Sequence, residues 1–85
     1  MNKADTISKI REILFGQFIQ NVKSEDIADG HELISTGLLD SINVLRFVDK
    51  LEGAFGIEFK AHEVDKDNLN SIDQIAAFVL KKKGA

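Results

Sequence analysis

Apolar residues at Ile7, Ile10, Leu14, Phe18 and Val22, with Ile13 beside them, recur at three- or four-residue steps. That spacing lines one face of an α-helix and predicts a first amphipathic helix. Asp5 or Thr6 stands where a side-chain oxygen accepts a hydrogen bond from an unpaired first-turn amide, and Asp5 also complements the helix dipole. A second stripe, Ile42, Leu45, Val48, Leu51, Ala54 and Phe55, predicts a helix from about Ser41 to Phe55, with Gly56 as its stop. A third helix starts near Ser71, where Ser71 and Gln74 have capping-box spacing, and its stripe is Ile72, Ile75, Ala76, Val79 and Leu80. Lys81, Lys82 and Lys83 suit the negative end of that helix.

The connections differ in character. Residues 23–40 form a long linker by ordinary loop statistics, which points to mobility or to a functional role. Ile27, Leu33, Ile34, Leu38 and Leu39 supply enough apolar surface for it to lie over the helices, while Gly30 and Gly37 permit turns. The stretch KAHEVDKDNL, residues 60–69, reads as a short irregular helical turn with Val64 and Leu69 pointing inward.

Composition narrows the function classes. An 85-residue chain has room for one core, so residues 1–85 are expected to form a single domain. Hydrophobic residues at 44% and charged residues at 29% place it among globular proteins. The absence of proline suits an all-helical fold. Without cysteine there is no disulfide, thiolate metal site or cysteine nucleophile, so any thiol chemistry must be borrowed. A net charge of −3 gives no field for nucleic-acid phosphates. The start MNKADTISKI carries no secretory apolar run and no window reaches transmembrane length, so the expectation is a cytoplasmic monomer without membrane insertion.

The candidate chemistry centres on GLLDSI, residues 37–42. Asp40 would cap a helix that begins with Ser41, and a phosphate ester on that serine would meet the unpaired amides and positive dipole end. Asp-Ser is equally an ordinary way to start a helix. The wider stretch LISTGLLDSINVLRFVDKLEGAFGIEF, residues 33–59, adds specificity, as do Asp65, Leu69, Ser71, Ile72 and Ile75 further on. Together these residues resemble the acyl and peptidyl carrier proteins. GLLDS and LNSI look most like the free-standing aminoacyl carriers, including D-alanyl and discrete peptidyl carrier proteins.

The resemblance implies a right-handed bundle of three main helices and one short helix, with the long first loop crossing one end. It implies that Ser41 accepts 4′-phosphopantetheine from coenzyme A through a separate magnesium-dependent phosphopantetheinyl transferase, with Asp40 and Ile42 as the motif flanks that enzyme recognises. The arm's thiol would then hold acyl or aminoacyl groups as thioesters. The chain itself would not be an enzyme and would bind no metal. Its partners would be a loading enzyme, adenylating or acyltransferring, and downstream acyl-processing enzymes. Leu39, Asn43, Arg46, Phe47, Asp49 and Lys50 are the expected partner face. Arg46 and Lys50 among Asp49 and Glu52 depart from the strongly acidic second helix of bacterial fatty-acid carriers, which favours a specialised pathway.

Rival readings are weaker on the residues. A triad of Ser41, His31 and Asp40 or Asp29 lacks a nucleophile elbow and a pocket. Asp65, Asp67 and Asn70 lack the turn glycine and ligand spacing of a calcium loop. The six phenylalanines suit packing better than base stacking. The competitor that keeps the fold is an unmodified adaptor acting through its second helix, for which an intact Ser41 has no chemical use.

Overall fold

The computed structural model describes residues 2–84, which are helical with no strand among them. Four α-helices carry the fold: α1 (Lys3–Ile13), α2 (Ser41–Phe55), α3 (Lys66–Leu69) and α4 (Ile72–Lys82). Two 3₁₀ turns, Ser24–Asp26 and Ala61–Glu63, lie in the connections. α1 packs chiefly against α4 and more lightly against α2, while the short α3 leads into α4. This is the helical bundle expected, and the three amphipathic stripes are buried against one another as so short a chain requires.

The first helix differs from the expectation at both ends. Its cap is Asn2, whose side chain accepts from the Asp5 amide at 2.8 Å. Thr6 is fully buried instead, and its hydroxyl donates back to the Asn2 carbonyl at 2.9 Å. At the other end the helix widens into a π-turn over Leu14–Phe18, closed by the Ile19 amide donating to the Leu14 carbonyl at 2.9 Å. One extra residue in the turn shifts the stripe, so Ile19 enters the core at 4% exposure and Val22 falls beyond the helix, half-buried.

The buried line of α2 is Val44, Phe47, Val48, Leu51 and Phe55, again at helical spacing. Ile42 and Leu45, expected inside, are 66% and 63% exposed, and Ala54 is also exposed. Apolar residues surround much of this helix, so its sequence contains two acceptable stripes. Packing selects the one holding Phe47, which meets Phe18 edge-on at 5.7 Å between ring centroids. The helix ends at Gly56 in the left-handed conformation, φ 67°. The Lys83 ammonium donates to the Phe55 carbonyl at 2.9 Å, so this lysine serves the negative end of α2 besides following α4.

α4 starts as expected, with the Ser71 hydroxyl accepting from the Gln74 amide at 3.1 Å. Ile72, Ile75, Ala76 and Val79 are buried and Leu80 is half-buried. Three further phenylalanines pack as the sequence suggests: Phe59 stacks on Phe78 at 5.1 Å, and Phe55 lies in the core. Leu69 is fully buried and Val64 half-buried, also as expected.

Candidate functional site

The linker before α2 is ordered by specific polar contacts. Arg11 on α1 reaches across to it: its guanidinium donates to the Ser24 carbonyl at 2.8 Å, the Ile27 carbonyl at 2.6 Å and the Asp29 carboxylate at 2.8 Å. Planar, multi-donor guanidinium geometry suits this role, and Ile27 is drawn into the core beneath it. Asp29 is thereby engaged with Arg11, and His31 is exposed.

The second half of the linker hangs on Asn70, between α3 and α4. Its side-chain oxygen accepts from the Ile34 amide at 2.8 Å and the Ser35 amide at 3.0 Å. Its nitrogen donates to the Ser35 hydroxyl at 2.9 Å, and its backbone carbonyl accepts from the Leu33 amide at 2.6 Å. Residues 33–39 then form a closed loop, with the Leu39 amide donating to the Leu33 carbonyl at 3.0 Å. Gly37, at φ 80°, makes the reversal that a side chain would strain. Leu33 and Leu39 are both fully buried at the two ends of the loop. Two of the acidic and amide residues in this stretch have structural roles: Asn70 ties the linker, and Asp65 caps α3 by accepting from the Asn68 amide at 3.2 Å.

This closure delivers Asp40 and Ser41. Asp40 caps α2, its carboxylate accepting from the Asn43 amide at 2.8 Å. Ser41 is the first helical residue and is exposed, so its hydroxyl is not spent on capping. The amides of a helix's first turn have no partner one turn earlier, and the dipole there favours negative charge, which fits a phosphate ester at this position. Beside Ser41 lies an open groove of about 330 Å³, lined by Ile34, Ser41, Val44, Leu45, Val64, Asp65 and Lys66. The side chains at this end of the bundle therefore fit an attached group with an anionic root and a partly apolar body.

The expected partner residues divide. Arg46, Asp49 and Lys50 are exposed along α2, and Asn43 is half-exposed, its amide nitrogen 3.4 Å from the Asp40 carboxylate. Leu39 and Phe47 are at 0% exposure, which corrects their inclusion in a docking face: both are core residues. Ile42 and Leu45, on the same helix as Ser41, are the large apolar residues left exposed. Asn70, Arg11, Val64 and Lys66 were not singled out as site residues by sequence reasoning. An asparagine or arginine that ties a loop looks like any surface polar residue until its partners, 13 to 38 positions away, are known. Among the described residues, no group of three or more His, Cys, Asp or Glu side chains is arranged to hold a metal ion. No described helix is long and apolar enough to cross a membrane.

Fold and site together define a small helical domain that presents an exposed serine hydroxyl at the start of a capped helix. The comparisons with known proteins specify its family. The family model described as the phosphopantetheine attachment site matches residues 9–79, and the chain belongs to that family. The domain is the site of covalent 4′-phosphopantetheine attachment, and its family consists of carriers that do not themselves catalyse. The chain is also similar to the D-alanyl carrier protein of Lactococcus lactis subsp. lactis (strain IL1403), 38% identical over 52 residues, covering 61% of this chain and 66% of the relative. The D-alanyl carrier protein of L. lactis subsp. cremoris (strain MG1363) is 37% identical over 51 residues, covering 60% and 65%. The matched stretch thus spans just under two thirds of the length of these relatives.

Proposed function

We propose that residues 1–85 act as a single carrier domain whose Ser41 bears the 4′-phosphopantetheine arm and which presents an aminoacyl or related acyl group to partner enzymes. The observation that carries this reading is the exposed Ser41 hydroxyl at the first position of α2, directly after its Asp40 cap, in a chain of the phosphopantetheine attachment family. In the modification, Ser41 Oγ forms a bond to the phosphorus of the pantetheine phosphate as the pyrophosphate linkage of coenzyme A breaks. Adenosine 3′,5′-bisphosphate departs and the hydroxyl proton passes to a base of the transferase. When attached, the arm supplies a thiol that this cysteine-free chain lacks.

The chain's own residues then present the site. Asp40 fixes the helix start, Asn70 and Arg11 hold the linker so that Ser41 stays at the bundle's end, and the exposed side of α2 offers a docking surface. Ile42 and Leu45 give that surface an apolar centre, with Asn43, Arg46, Asp49 and Lys50 around it. Mixed charge of this kind discriminates between partners more than it attracts any one of them. The expected partners are a phosphopantetheinyl transferase, an adenylating or acyltransferring loading enzyme and downstream acyl-processing enzymes, in the cytoplasm. Similarity to D-alanyl carrier proteins makes D-alanine the first cargo to test.

The test is intact-protein mass spectrometry after incubation with coenzyme A, magnesium and a broad-specificity transferase. The parent should gain one phosphopantetheine, while Ser41→Ala, folded to the same degree, should gain none. No gain in the parent with several competent transferases would refute the carrier reading and leave the unmodified adaptor.

A further inference from the structure

Four outward positions of α2, Ile42, Arg46, Asp49 and Gly53, follow one another at steps of four, three and four residues, and all are exposed. That is the spacing of a coiled-coil seam, and on an α-helix it keeps the four side chains in one narrow stripe. The buried line of Val44, Phe47, Val48, Leu51 and Phe55 runs along the opposite side, so α2 carries a second seam that the bundle leaves without a partner. Ile42 is 66% exposed at one end of it. At the other end Gly53 faces open space: a Cβ added there would meet nothing within 4 Å, so no contact within the chain requires a glycine. Beside Gly53 an open groove of about 540 Å³ runs between α1 and α2, lined in part by Lys9, Ile13, Asp49 and Ala54. Arg46 and Asp49 take part in none of the ion pairs among the described residues, which join Lys3 to Asp73, Arg11 to Asp29 and Lys82 to Glu63.

We infer that this seam pairs with the same seam of a second copy of the chain, the two α2 helices lying antiparallel about a two-fold axis. A two-fold interface requires one patch to complement itself. Here a single register does so twice: Arg46 and Asp49 have the same midpoint along α2 as Ile42 and Gly53. Setting Arg46 of each copy opposite Asp49 of the other therefore also sets Ile42 of each opposite Gly53 of the other. Two reciprocal ion pairs occupy the centre, and at either end an exposed isoleucine enters the groove over Gly53 and Ala54. A parallel pair would instead place Arg46 against Arg46 and Asp49 against Asp49. This agreement of charge and shape in one register commits the seam to a second copy. A single pair of helices buries little area, so the association is weak, and its exposed ion pairs make it weaker in salt. Ile42 also belongs to the docking surface proposed above, so self-association and partner docking exclude one another. The inference does not depend on modification of Ser41.

The experiment is sedimentation equilibrium of the unmodified chain at low salt and at concentrations up to millimolar. The weight-average mass of the parent should rise from one chain toward two. Arg46→Asp and Asp49→Arg, both at exposed positions and both checked for the parent's helix content by circular dichroism, should each weaken association at least about tenfold, because like charges then face each other. An equimolar mixture of these two variants should associate again, since every facing central pair in the mixed dimer is an arginine against an aspartate. Gly53→Gln should weaken association without loss of fold stability, because its side chain takes the space that Ile42 of the other copy fills. A parent that stays monomeric at millimolar concentration would overturn the inference. So would single variants that associate like the parent, or a mixture that associates no more than its components, since either result excludes this register.

Discussion

Replacing Asn70 with alanine tests how the linker is held. The substitution removes the acceptor shared by the Ile34 and Ser35 amides, at 2.8 and 3.0 Å, and the donor to the Ser35 hydroxyl at 2.9 Å. A net intramolecular hydrogen bond contributes about 0.5–1.5 kcal/mol, and the Ile34 amide, being partly buried, recovers least from water. Ser35 is exposed and rehydrates, so the expected loss is about 1–3 kcal/mol rather than the full sum. For a domain of this size that lowers Tm by roughly 4–8 °C per kcal/mol. The backbone bond from the Leu33 amide to the Asn70 carbonyl survives the change, so the defect should be local, with Ile34 and Ser35 amides exchanging faster than the α4 core. Asn70→Asp keeps the acceptor but places a carboxylate near Glu32, whose side chain lies 3.4 Å from the Asn70 nitrogen, so it should recover only part of the loss. Urea titration with amide hydrogen exchange reads both quantities. A stability change under about 0.5 kcal/mol, the scale of ordinary surface substitutions, with unchanged exchange at residues 34 and 35 would refute this role.

Three further outcomes are expected. Phe47→Ala should cost about 3–5 kcal/mol in urea unfolding, because a fully buried ring packed on Phe18 leaves a cavity; a near-neutral result would return Phe47 to the surface. Within one helix, Gly56→Ala should destabilise by about 1 kcal/mol, since its φ of 67° strains a side chain. Gly53→Ala should instead stabilise by roughly 0.5–1 kcal/mol, since its Cβ would meet nothing within 4 Å in a helical interior, and equal effects at the two sites would sink the argument. The Glu63 carboxyl is held below its ordinary value of 4.5, first by the Lys82 ammonium at 2.6 Å and then by the Lys60 amide at 2.8 Å. Its folded value lies below the unfolded one, so the stabilisation is present above about pH 4.5 and is lost as pH falls through the lowered value. Glu63→Gln should flatten that part of the stability–pH curve, and an unchanged acid limb would show that other carboxylates set it.

Much of the site was legible because its signals are local. Asp40 as cap and Ser41 as first residue follow from a short polar pair preceding a periodic stripe, and Gly56 and Ser71 punctuate their helices by the same short-range rules. The apolar residues of the long linker announced that it would lie on the bundle, and Ile27, Leu33 and Leu39 do. What failed were choices between locally equivalent options. Asn2, Asp5 and Thr6 all suit a helix start, and burial of Thr6 against the bundle assigns the cap to Asn2.

The sequence by itself determined the periods of α2 and α4, the stop at Gly56 and the presentation of a serine after an aspartate cap, because each depends on residues within a turn of one another. Tertiary structure alone decided which side of α2 faces inward. Eight apolar residues between Ile42 and Phe55 permit more than one stripe, and only the opposing surfaces of α1 and the linker select Val44 and Phe47 over Ile42 and Leu45. It likewise decided that Asn70 and Arg11 hold the path to Ser41. Hydrogen bonds between residues so distant along the chain exist only once the bundle has closed, and no local pattern encodes them.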